Sequence, residues 1–220
     1  MSTQFIEIVK SGDRAALASL LAQDPGALLA KDDDGTSAIL VATYRGHHEV
    51  AQWLIEQGAD LDIFGAAATG ALERVNGLLA ENPALALAHS PDGWTPLHLA
   101  AHFGRKNVAD ALLAGGAEVD ALSSNDLTNT PLHAAIAGHE DAVAGLLLAN
   151  GADIDAVDGQ GNTALHLASH DDEPDIIKLL IIHGAEVNPR NHVGKTPLGQ
   201  AAELGHSRVV DMLSAYGGDE

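Results

Sequence analysis

The chain repeats itself, and that repetition limits its fold more than any other feature. Thr95, Thr130, Thr163 and Thr196 open the runs TPLH, TPLH, TALH and TPLG, spaced 35, 33 and 33 residues apart. Seventeen residues after each stands Leu112, Leu147, Leu180 or Leu213, and twenty-one after each stands Gly116, Gly151, Gly184 or Gly217. Ser37 fits the same template, with Leu54 and Gly58 at the matching offsets. A fixed period of this size predicts a stack of small units, each covering the apolar face of the next.

Two further units are less regular. LLAQDPGALLAKDDDG (20–35) and LLAENPALALAHSPDG (78–93) align without a gap, and each follows an alanine-rich segment ending in Gly12 or Gly70. Seven units at about 5–32, 33–60, 61–90, 91–121, 122–155, 156–188 and 189–220 then fill the chain, predicting a single domain over 1–220.

Each unit reads as a helical pair. Thr95 can cap a helix through its hydroxyl, and Pro96 at the first helical position loses no hydrogen bond. Leu97, Ala100 and Ala101 follow at helical spacing, and Gly104 suits the left-handed end of the helix. Val108, Leu112 and Leu113 mark the apolar face of a second helix that Gly116 stops. Helices this short are marginal alone, which is why the unit must recur.

Composition excludes several functions. Hydrophobic residues are 46% of the chain but aromatics only 3%, so the core is built of Ala and Leu, as closely packed helices require. No apolar run approaches the ~20 residues that cross a bilayer, and MSTQFIEIVK lacks the pattern of a secretory signal. Cys is absent, so disulfides and thiolate chemistry are excluded. Formal net charge is −20, which makes nucleic acid and anionic membranes poor partners. The same charge serves solubility or attracts a basic partner.

The run T-P-L-H-x-A-A-x-x-G, followed by LL and GAD or GAE at a period of 33, resembles the ankyrin repeat. The resemblance covers nearly the whole chain. It implies an all-α-dominated solenoid of about seven helix pairs with short β-turn fingers. It also implies a concave face, made of finger tips and inner helices, that binds a protein. Within it, the His of TPLH bridges neighbouring repeats. This chain departs from the pattern in places. The finger between the second and third units is missing, which predicts a notch in the concave edge. The finger ALSSNDLTN (121–129) is two residues longer than its neighbours. His139 and Asp172 replace the glycine that ends an inner helix, and Leu40, Phe64 and Gly199 stand where His occurs elsewhere.

By the same resemblance, the residue between turn Gly and helix cap points into the groove: Thr36, Trp94, Asn129, Asn162 or Lys195. The last residues of the inner helices, including Tyr44, Arg45, His102, Phe103 and His170, face it too. Trp, Tyr and Arg are enriched in binding hot spots, so Trp94, Phe103 and His102, with Tyr44 and Arg45 across the notch, are the expected anchors. The opposing reading lays Trp94 on its own inner helix as a shield. His98 with His102, and His166 with His170, have a spacing that can bring two imidazoles onto one metal, but no third ligand follows. No motif of a nucleophile, zinc protease or phosphate loop is present.

The expected function is therefore a non-catalytic, cofactor-free, monomeric and cytoplasmic protein-binding module. It would act as inhibitor or scaffold, and its partner would be basic or mixed in charge. The alternatives are a structural or self-associating solenoid without a foreign partner, and a metal-binding protein. Stand-alone ankyrin proteins that this chain resembles occur in bacteria.

Overall fold

Short helices dominate the computed structural model, which describes residues 2–219. Seven helices form an inner row: α1 (Ser2–Ser11), α3 (Ala38–Tyr44), α5 (Ile63–Thr69), α7 (Pro96–His102), α9 (Pro131–Ala137), α11 (Ala164–His170) and α13 (Pro197–Leu204). Each is followed by its outer partner: α2 (Arg14–Gln23), α4 (His48–Glu56), α6 (Leu72–Glu81), α8 (Lys106–Ala114), α10 (Asp141–Ala149), α12 (Pro174–Ile182) and α14 (Ser207–Ala215). Inner helices pack on inner helices and outer on outer along the stack. Turns of 3-10 helix at Pro25–Leu29 and Pro83–Leu87 follow α2 and α6, as the alignment of the first and third units leads one to expect. Leu97, Ala100, Ala101, Val108 and Leu112 are all buried, the alanines letting adjacent inner helices come close.

Five of the inner helices have only seven residues, too few to persist alone. Their caps and bridges explain how they persist. Thr95, Thr130 and Thr163 each cap a helix jointly with the His three residues on. The far nitrogen of each ring crosses to the next unit. His98 Nε2 lies 2.9 Å from the Asn129 carbonyl, His133 Nε2 lies 3.0 Å from that of Asn162, and His166 Nε2 lies 3.0 Å from that of Lys195. A carbonyl can only accept, so Nε2 carries the proton, and Nδ1 accepts from the threonine. The ring is thus neutral. Burial lowers the pKa of all three imidazoles, that of His98 to about 4.

A second row of bridges was not read from the sequence. Before three outer helices, α4, α8 and α14, the preceding residue reaches back to the end of the inner helix of the unit before. His47 Nε2 meets the Lys10 carbonyl at 3.0 Å, Arg105 Nε donates to that of Ala68 at 2.9 Å, and His206 Nε2 meets that of His170 at 3.0 Å.

Five finger turns project between α2 and α3, α6 and α7, α8 and α9, α10 and α11, and α12 and α13. Each closes with a backbone bond across the turn, as from Ser90 N–H to the Trp94 carbonyl at 2.8 Å, and has a second one within it, as from Gly93 N–H to the Ser90 carbonyl. The long finger spans Ser123 to Asn129, and its tip bonds to both neighbours: Ser124 N–H to Gly93, and Gly159 N–H to Leu127. Between α4 and α5 there is no finger. His139 and Asp172 take positive φ, 58° and 57°, where Gly104 has 67°.

One alignment is corrected. Asp62 caps α5 by accepting from Gly65 N–H, so Gly65, not Phe64, occupies the place of the bridging His. Counting back from Gly70 misses this because α5 ends at Gly70 itself, whereas α7 has Phe103 before its glycine.

Leu112 has no exposed surface. Leu112→Ala is expected to cost about 2–5 kcal/mol in urea unfolding, as an unfilled core cavity. The buried histidines predict a pH dependence. Their folded pKa values lie below the unfolded value near ~6.5, so stability is complete above that pH and is lost as pH falls toward the folded values. Between pH ~7.5 and ~5.5 the contribution of His98 should fall by about 1 kcal/mol, and a His98→Gln variant should show a shallower slope in the urea midpoint.

Candidate functional site

The side of the stack formed by the fingers and inner helices carries a row of rings. At one end Tyr44, the last residue of α3, reaches across α5. It can do so because α5 presents Gly65, Ala66, Ala67 and Ala68 in place of larger side chains. The Tyr44 and Phe103 ring centroids lie 5.8 Å apart. Phe103 meets His102 edge-on at 4.9 Å, and His102 meets Trp94 edge-on at 5.3 Å. Trp94 ends the row against the buried His98 at 5.9 Å. Edge-on packing in two of these contacts and tilted packing in the other two help to hold the rings in place.

The Tyr44 hydroxyl donates to Asp92, in the finger before α7. Burial and the Asp92 carboxylate push its phenol pKa well above the usual range. A Cβ on Gly35 would stand 3.8 Å from Pro91 Cγ, so the fingers flanking the missing one approach each other. The expected open notch is therefore mostly closed. What is left is a cleft of about 240 Å³ beside Tyr44, Arg45, Asp34 and Asp92. Arg45 is exposed, with no ion pair among the described residues.

Trp94 is half-buried, its indole lying on its own helix while one side is open. Both readings of this residue thus describe part of its position. His102 is half-buried as well, and burial lowers its pKa.

Three expected groove residues correct the reading. Thr36, Asn129 and Asn162 are 4%, 8% and 7% exposed and offer a partner almost no side chain. They occupy the place of Trp94, but their small side chains fold into the finger turns. Asn162 Oδ1, for example, accepts from Asn191 Nδ2 at 2.8 Å. His170 is exposed, with Nδ1 2.7 Å from Asp171 Oδ1. Lys195 pairs with Glu203. Neither joins the row, because the intervening unit contributes only Ala137 and Gly138. A Cβ on Gly138 would lie 2.1 Å from the His102 carbonyl oxygen, so α9 approaches the backbone of α7 itself. Asp92 was missed by the sequence reading, since its partner Tyr44 is two units away. Among the described residues no group of three or more His, Asp or Glu could hold a metal ion, and no helix is long and apolar enough to cross a membrane.

A model of three ankyrin repeat copies matches residues 63–158 and 144–219, and a single-repeat model matches 34–65. The chain belongs to the ankyrin repeat family. Ankyrin repeats generally mediate protein–protein interaction and are typically non-catalytic. A transient receptor potential cation channel subfamily A member 1 homolog from Caenorhabditis elegans is 30% identical over 118 residues, 50% of this chain and 10% of the channel protein. The NAD-capped RNA hydrolases NUDT12 of Homo sapiens and Macaca fascicularis are each 34% identical over 71 residues, 32% of this chain and 15% of the hydrolase. The ankyrin chain thus spans a small fraction of the curated relatives it matches.

The close approach at Gly138 is testable. Gly138→Ala is expected to destabilise by about 1–3 kcal/mol in urea unfolding by forcing α9 off α7. Were the site open, the same change would be neutral or stabilising, because alanine restricts the unfolded chain.

Proposed function

We propose that this ankyrin stack is a non-catalytic module that captures a protein partner on the finger-and-inner-helix face. Trp94, His102, Phe103 and Tyr44 serve as anchor, with Arg45 at the edge. The observation that carries this reading is the row of rings itself. The chain has two Trp, two Tyr and three Phe, and one of each meets in a half-exposed line across two of the seven units. Aromatic side chains on a rigid support lose little freedom on binding, and they dominate interface energies where they are desolvated. Covering an enzyme's active site or tethering a protein both follow from such capture.

The activities in the names of the channel and the hydrolase are not carried over, because the matched stretches are 10% and 15% of those proteins. His170 and Lys195, paired with Asp171 and Glu203 outside the row, are peripheral contacts in this reading.

Affinity capture from the native cell lysate tests the proposal. A Trp94→Ala, Phe103→Ala double variant should keep its helicity and nearly its melting temperature while losing the partner that the wild type retains. Equal capture by a folded double variant contradicts the assignment. A concentration-dependent mass in light scattering, with no foreign protein captured, would replace it with self-association.

A further inference from the structure

We infer that the occupant of the aromatic row is a basic protein segment with an apolar anchor, gripped between the rings and the carboxylates of the first four finger turns. The inference rests on the protein-binding reading above and narrows it. The turns at 32–36, 90–94, 123–129 and 158–162 read DDDGT, SPDGW, SSNDLTN and DGQGN, with six Asp and no Lys or Arg.

Three of those carboxylates build the fold. Asp32 Oδ1 accepts from the N–H groups of Asp34 and Thr36, and Asp158 Oδ1 from those of Gln160 and Asn162. Asp92 takes the hydroxyls of Ser90 and Tyr44. The other three do not. Asp33, Asp34 and Asp126 are exposed, and their carboxylates have no hydrogen bond or ion pair among the described residues. Turn geometry leaves them free to meet a ligand.

The negative field also has an end. The fifth turn, NHVGK at 191–195, carries Lys195 and no carboxylate, and that lysine is already paired with Glu203. On the other side Lys10 is held by Glu7, and Arg45 marks the rim of the cleft beside Tyr44. The free carboxylates therefore stand along the stretch that carries the rings. A lysine or arginine there meets an aromatic face and a carboxylate together, and a neighbouring apolar side chain is desolvated against Trp94 and Phe103. An acidic segment would face these carboxylates, offset only by Lys31 and Arg45 near the first turn, which disfavours it.

The two tryptophans supply an internal control. Trp94 lies in the row, whereas Trp53 is in α4 under Arg14, whose guanidinium carbon is 5.7 Å from the ring centroid. Three short amidated peptides of equal length, one Lys/Leu, one Glu/Leu and one Lys/Gln, would be titrated into the full chain while both indole N–H signals are followed by NMR. The Lys/Leu peptide should shift Trp94 and leave Trp53 in place. It should bind about tenfold more weakly to an Asp33→Asn, Asp34→Asn, Asp126→Asn variant, and the other two peptides should be at least as weak on the wild type. Equal binding of the Glu/Leu or Lys/Gln peptide, or an unchanged affinity in the triple variant, overturns the inference. A cellular partner lost by the Trp94/Phe103 variant but kept by the triple Asp variant overturns it while leaving protein capture intact.

Discussion

A neutral imidazole spanning two units is the interaction on which the rest depends. His98, His133 and His166 each receive from their own threonine and donate to the next finger. One side chain thus caps a seven-residue helix and fixes the following turn relative to it. The bond is buried, so its loss would leave an unsatisfied carbonyl as well as a broken cap. Neither the short helices nor the fingers are stable units by themselves. Their positions follow from repetition, and repetition is what holds the ring row rigid.

The row of rings arises where the repetition fails. The second and third units lack a finger between them, and α5 is built of small residues. Both changes remove bulk at the same place, and Tyr44 crosses the space to reach Phe103 and Asp92. On the other flank, Gly138 lets α9 press on the α7 backbone, so no side chain from that unit covers the rings. The aromatic residues stand out because the helices on either side of α7 are small there.

Much of this was legible in the sequence. The period gave the pairing of helices and the TPLH resemblance implied the bridges, whereas the left-handed backbone that His139 and Asp172 keep in place of glycine was not predicted. Contacts between residues without matching offsets were not legible. Nothing in the pattern links Tyr44 to Asp92, or tells that a Cβ at position 138 would collide with a carbonyl. The groove assignment failed at Thr36, Asn129 and Asn162 for a related reason. Offset places the backbone, but side-chain size decides whether the residue folds into its turn or projects past it, and only Trp94 and Lys195 among these are too large to fold away. Phe64 was misplaced because the glycine after α5 comes one residue sooner than the glycine after α7, which shifts every count made from it.

A rigid stack, held together by buried neutral histidines, carries one face with a row of rings and an acidic border. Hydrogen exchange on the full chain with its captured partner tests that union most directly. Amides in residues 33–45 and 90–104 should gain protection on complex formation, while those of the outer helices α8, α10 and α12 stay as they are in the free protein. A footprint on the outer helices, with the ring row exchanging unchanged, would contradict it.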